Sequence, residues 1–222
     1  MVTRKYQDKS HSFFMQILQK YFTDFTEIQI HQYAVLKDLY QEWNQKLNVI
    51  SRKDIDHFYE HHVLHSLSIA TQFNFPDGYN IMDLGSGGGF PGIPLAIFFP
   101  NVHFHLVDSI NKKLKVVEAI ANEINLKNVT VQHTRAEEIR DKKFDVVVSR
   151  AVAPLKDLWY WSKPLLNKRP VDQPKKISGL ICLKGGDLAH EISESRLHPR
   201  VWKISKIFEE DFFAEKYILL IS

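Results

Sequence analysis

The 222-residue chain has one cysteine, Cys182, so no intramolecular disulfide framework is open to it. That usage fits a reducing compartment, and a cytoplasmic protein is expected. Long apolar runs are missing too. The longest, Ile93 to Pro100, is far too short to cross a bilayer. The basic start, MVTRKYQDKSHSFFMQILQKYF, leads into an amphipathic segment with Gln16, Gln19 and Lys20, not into a signal-peptide core. No membrane association is expected. Charge is nearly balanced at +3, which permits nucleic-acid binding without demanding it. No internal repeat is visible. A composition 44% apolar and 25% charged argues against disorder. Glycine is absent until Gly78.

That last absence divides the chain. Residues 1–75 read as a helical region. Apolar positions recur at helical spacing over Ser12 to Phe22 and again over Thr26 to Leu47, where Tyr33, Tyr40 and Trp43 are expected in the core. Asp54 is placed to cap a third helix from Ile55 to about Phe73. The turn FPDGYN follows, and residues 76–222 alternate strands with helices. Strands are expected at NIMDL, VHFHLVD, NVTVQH, FDVVVSR and SGLICLKGG, with helices at Pro91 to Phe99, Asn111 to Leu126 and Pro154 to Leu166. Five strands separated by helices imply a mostly parallel sheet with right-handed crossovers. The last two strands, in VWKISKIFEE and EKYILLIS, lie too close for a crossover, so one strand must be antiparallel. The segment Asn167 to Gly179 reads as a charged flap.

The first strand runs into IMDLGSGGGFPGIPLAIFF. Strand, glycine loop and helix form a nucleotide-binding arrangement, in which Gly85, Gly87 and Gly89 let a ligand approach bare backbone. Asp108 closes the second strand, where an acid accepts bonds from ribose hydroxyls. A dinucleotide pyrophosphate is disfavoured on two counts. The loop has Phe90 where the dinucleotide pattern has its third glycine, and Asp83 sits just ahead of it. Like charges about 4 Å apart repel by about 4 kcal/mol at an effective dielectric near 20. S-adenosylmethionine carries a sulfonium and an ammonium and no phosphate, so Asp83 is expected to favour it.

The strings IMDLGSGGGFPGIPLAI, HLVDSINKKLKVV, RAEEI, FDVVVSRAVAPL and LICLKGG resemble those of the small-subunit ribosomal RNA guanine-N7 methyltransferases, once called glucose-inhibited division protein B. The likeness covers most of the chain. It implies a class I S-adenosylmethionine-dependent methyltransferase fold, α/β and Rossmann-like, with a mostly parallel seven-stranded sheet carrying one antiparallel strand. It also implies S-adenosylmethionine as methyl donor, and 16S rRNA or the small ribosomal subunit as partner of a monomer. By motif position, Asp83, Gly85, Gly87, Phe90, Asp108, Ala136, Glu137 and Arg150 line the donor site, and Arg150 also faces the substrate as the catalytic residue. His62 stands in HHVLHS, where the family often has Arg-His-x-x-Asp-Ser, and is taken with Arg135 and Lys184 as an RNA contact. Lys168, Arg169, Lys175 and Lys176 of the flap are further basic candidates.

The chemistry agrees with that reading. Guanine N7 has a free lone pair and no proton to lose, so its methylation needs positioning rather than a general base. After the fourth strand stands SRAVAP, not the Asp/Asn-Pro-Pro-aromatic string of exocyclic-amine methylation. Cys182, inside an apolar strand, is expected to be an inert thiol rather than the nucleophile of cytosine C5 methylation. His57, His61 and His65 share a helical stripe, but His-His-x-x-His lacks the glutamate of a zinc protease, and no metal is expected. The rival functions are methylation of a small molecule, a non-catalytic RNA-binding assembly factor, and a dinucleotide oxidoreductase.

Overall fold

The computed structural model describes residues 16–51, 53–150, 152–168 and 177–222. Seven strands form one sheet: β1 Asn80–Leu84, β2 His103–Asp108, β3 Val129–His133, β4 Val146–Arg150, β5 Gly179–Gly185, β6 Arg200–Lys203 and β7 Lys216–Ile221. Their order is β3-β2-β1-β4-β5-β7-β6. β1 to β5 pair in parallel, and β7 runs antiparallel to both β5 and β6. The strand order reverses between β1 and β4, so a crevice opens there at the carboxyl ends of the strands.

Two-residue periodicity sends alternate side chains to opposite faces. Ile81, Val146, Val148, Ile181 and Leu183 join one apolar cluster, while Met82, Val147, Leu180 and Cys182 join a second. The first face is covered by α1 (Glu27–Lys46), α2 (Gly92–Phe98) and α3 (Asn111–Glu123), most of whose buried apolar residues belong to its cluster. The second lies under α4 (Leu155–Ser162) and α5 (Leu188–Ser195). Cys182 is wholly buried there, and burial pushes its thiol up to about 12, so it is no nucleophile at neutral pH. No described helix is long and apolar enough to cross a membrane.

The N-terminal helices share the core of the sheet. Thr26 and Gln29 close a capping box at the start of α1. Gln29 Nε2 also donates to the carbonyls of Ile97 and Phe98, Tyr33 Oη to Pro94 O at 2.8 Å, and Tyr40 Oη to Gly88 O at 2.5 Å. α1 therefore fastens both α2 and the glycine loop. Tyr33 and Tyr40 are buried as the pattern implies, with Trp43 half-buried.

Two elements differ from expectation. Asp54 caps no long helix. It accepts bonds from Ser51 Oγ at 2.7 Å and faces His61 Nδ1 at 3.1 Å, so residues 53–57 form turns. A π-helical segment, Tyr59–Leu64, follows and runs into a single α-helical turn, His65–Leu67. Wide helical turns of this kind concentrate at functional sites. β6 stops at Lys203, because Ile204, Phe208 and Phe213 turn away from the sheet edge into the core. The start of the first expected helix and most of the charged flap, including Arg169, Lys175 and Lys176, lie outside the described residues.

Candidate active site

β1 delivers the chain to the switch point, where the loop from Gly85 turns back over the end of β2. Gly85 and Ser86 donate their N–H groups to Val107 O. Gly85 adopts φ +68°, and a Cβ there would meet Val152 at 2.8 Å, so both conformation and space require glycine. Gly87 has φ +55° with open space beside it. Its N–H donates to Asp108 Oδ2 at 2.8 Å, and Ile110 N–H donates to Asp108 Oδ1 at 2.8 Å. The half-buried carboxylate thus ties the end of β2 to the loop.

A cavity of about 410 Å³ opens beside this tie. Gly85, Gly87, Asp108, Arg135, Ala136 and Glu137 line it, so six residues chosen from the sequence come together. Val107, Ile110, Val152 and Trp161 are among the other wall residues, with Leu84, Ser109, Lys113 and Thr134, and none of the eight is singled out as a site residue by the sequence. Their signals were faint: Ile110 and Val152 are apolar yet 48% and 46% exposed, a property that the sequence does not display. Trp161 reaches the cavity from α4.

Five expected site residues do not line this cavity: Asp83, Phe90 and Lys184, and also Arg150, expected in the donor lining, and His62, which meet beyond the loop. Asp83 is fully buried and turned from the cavity. Its Oδ2 accepts from Gly92 N–H at 2.7 Å, at the start of α2, and Oδ1 has no hydrogen-bond partner among the described residues. Burial lifts its carboxyl to about 7, opposed by the Gly92 bond and by the charge of Arg150. Asp83 therefore turns its carboxyl toward the start of α2 and does not present it to a sulfonium in this cavity. Phe90 is 3% exposed and packs against Tyr40, Phe58 and His62, behind the loop. Lys184 is 7% exposed, and its ammonium is taken by Ala153 O and Glu191 Oε1, both at 2.6 Å, so it offers no charge to RNA.

The raised Asp83 pKa predicts a pH effect. With a folded value near 7 and an unfolded value near 3.8, the folded state holds the proton over that interval. The stability this confers is present below about pH 4 and lost as pH rises to about 7. Asp83→Asn cannot ionise, so its stability relative to wild type should climb between pH 5 and 8, by about 2–3 kcal/mol. Urea denaturation across that range checks this. A constant difference would contradict it.

Arg150 ends β4 on the face opposite the cavity's apolar wall. Its Nη1 donates to His61 O at 3.2 Å, its Nη2 lies 3.0 Å from His62 Nδ1, and the guanidinium stands 5.0 Å from the Phe90 ring centre. An arginine donates only, so His62 Nδ1 accepts and Nε2 carries the ring proton. Burial, reinforced by Arg150, pulls His62 down to about 3, which keeps it neutral. Arg150 is lowered by burial to about 10 and remains charged. His62 Nε2 is buried without a partner among the described residues. The sequence-chosen His62, Phe90 and Arg150 thus form one cluster, across the loop from the cavity.

A larger cavity, about 930 Å³, runs along α4 near the amino ends of β4 and β5. Lys156, Tyr160, Lys163 and Lys168 line it, and none of the glycine-loop residues does. Volume alone does not make it the reaction site, because the switch point lies at the other edge of the sheet.

Among solved structures, the chain resembles the ribosomal protein L11 methylase of Lactobacillus delbrueckii subsp. bulgaricus with a TM-score of 0.51. The identity is 17%, over 72% of this chain and 76% of that one. It also resembles a mutant of MtNAS in complex with S-adenosylmethionine, with a TM-score of 0.57 and 13% identity over 88% and 76% of the two chains. At such identities the likeness speaks to the fold, a class I methyltransferase sheet with one antiparallel strand. Sequence relatives are much nearer. The ribosomal RNA small subunit methyltransferase G of Bacteroides thetaiotaomicron is 55% identical over 205 residues, 92% of this chain and 98% of that one. Its counterpart from a Bacteroides fragilis strain is 52% identical over 208 residues, 94% and 100% of the two. The family model described as rRNA small subunit methyltransferase G, or GidB, matches residues 29–213. The chain belongs to the rRNA small subunit methyltransferase G family.

Proposed function

We propose that the chain transfers a methyl group from S-adenosylmethionine to N7 of one guanosine in 16S rRNA, acting in the cytoplasm as a monomer on free RNA or on the small subunit. The observation that carries the donor assignment is the Asp108 carboxylate at the mouth of the cavity beside the glycine loop. Each of its oxygens accepts one backbone N–H, which leaves lone pairs for the two hydroxyls of a ribose. Val107, Ile110 and Trp161 supply flat apolar walls for a base, with Ala136 and Glu137 at its edge. A pyrophosphate fits less well, because it needs free loop N–H groups and that of Gly87 is already given to Asp108.

When bound, S-adenosylmethionine supplies an electrophilic methyl group on its sulfonium. The residues of the chain then have a positioning task, since N7 attacks through its own lone pair and no proton is removed. Arg150 has five N–H donors, of which His61 O and His62 Nδ1 take two. The remaining donors suit O6, the acceptor beside N7 on the guanine edge. His62, held neutral, and the Phe90 face fix the guanidinium before the base arrives. Holding two reactants in line is worth about 7–11 kcal/mol, enough to do without a catalytic dyad. Arg135, exposed at the rim of the cavity, is placed for a backbone phosphate.

Nucleoside mass spectrometry of 16S rRNA, from cells with and without the protein, tests the assignment. Loss of 7-methylguanosine at one position in the deletion strain is expected. Full methylation there would leave the assembly-factor reading standing instead.

A further inference from the structure

The histidine stripe does not stay together in the folded chain. His65 is buried beside Phe212 and Phe213. His57 and His61 remain at the surface on one helical turn, joined by a bond from His61 N–H to His57 O at 2.8 Å. Glu60 stands with them. The segment reads His-x-x-Glu-His, so a carboxylate missing from the later histidine string is supplied one residue before His61. One ligand atom from each of His57, Glu60 and His61 lies within 4.8 Å of the others.

We propose that His57, Glu60 and His61 bind one divalent transition-metal ion of the zinc class. Two imidazoles and a carboxylate match that class, whereas calcium and magnesium call for oxygen alone. Asp54 provides the second, independent sign. Its Oδ1 lies 3.1 Å from His61 Nδ1, so Nδ1–H donates to the carboxylate and Nε2 keeps a free lone pair. A carboxylate behind an imidazole is the arrangement that orients and strengthens metal-binding histidines. The His61 ring is fixed further by stacking on Phe212, with centres 3.9 Å apart. The side chains of His57 and Glu60 make no hydrogen bond or ion pair among the described residues, so nothing has to be broken for them to turn toward an ion. His57 does have to turn. Its ring stacks on His61 with 13° between the planes, and a metal lies in the plane of each imidazole that holds it. His57 is exposed, which makes that rotation cheap. Three protein ligands leave a fourth position for water.

The site has a consequence for its neighbour. The same helical segment carries the His61 carbonyl and the His62 ring that hold Arg150. An ion bound on its outer face braces the support of Arg150, although the ion itself touches no reacting group.

Visible absorption of Co2+ titrated into tag-free, chelator-treated full-length protein tests the proposal. One equivalent per chain is expected, displaced by Zn2+, with a rise in Tm. His57→Ala and Glu60→Gln should each weaken binding at least about tenfold, and Asp54→Asn about 10- to 100-fold with unchanged stoichiometry. Methyl transfer by the metal-free protein should be the same in His57→Ala as in wild type. Absence of Co2+ absorption in wild type at saturation overturns the proposal. So does equal affinity in His57→Ala and Glu60→Gln, which would place the ion elsewhere. Neither result bears on the donor cavity, which is read separately by S-adenosylhomocysteine binding.

Discussion

Arg150→Ala should lower kcat for methyl transfer to small-subunit RNA by roughly 100- to 1,000-fold, the loss found when one preorganised donor is removed from a reaction site. Donor affinity should change little, because Arg150 is not among the residues lining the donor cavity. The guanidinium does more than carry charge. It bridges His61 O and His62 Nδ1 while facing Phe90, a geometry set by a planar fork. Arg150→Lys supplies an ammonium without the fork and should recover little of the rate. A fold defect would depress both donor binding and rate, so the two are measured together. Single-turnover kinetics with calorimetry of S-adenosylhomocysteine separates them. A near-normal rate in Arg150→Ala would remove the residue from the reaction.

Asp108→Ala should have the opposite signature, with donor Kd raised about 100-fold or more. Two hydrogen bonds to a charged group are worth about 3 kcal/mol or more, and the ties to Gly87 and Ile110 are lost as well. Asp108→Asn keeps one accepting oxygen and loses one of the two backbone ties, so an effect of about tenfold is expected. Calorimetry with S-adenosylhomocysteine reads both. Unchanged affinity in Asp108→Ala would show that the ribose binds elsewhere.

The strands and their order of use were legible because apolar runs, glycine turns and amphipathic helices alternate through residues 76–222. The donor cavity was legible for the same reason. A glycine loop after a strand and an acid ending the next strand define a place, not merely a composition. Asp83 and Lys184 were misread at the level of strand parity. Asp83 is two residues after Ile81 and so shares its face, the one that α2 covers. Lys184 is two residues after Cys182 and faces α5, where Glu191 meets it. Arg150 shares the parity of Val146 and Val148, which sends it to the π-helical segment and explains its meeting with His62. The alternation was available in the sequence, but which helices cover which face was not. The π-helical turn was hidden for a further reason. Its residues carry ordinary helical spacing, and the partners it meets, Arg150 and the Phe212–Phe213 pair, lie far along the chain.

Incubation of purified protein with methyl-labelled S-adenosylmethionine and small ribosomal subunits from a deletion strain, followed by nucleoside mass spectrometry, tests the central claim most directly. Label should appear in 7-methylguanosine of 16S rRNA, at about one site per particle, and should appear roughly 100- to 1,000-fold more slowly with Arg150→Ala. Label in another nucleoside, or in small metabolites with none in the RNA, would contradict the account.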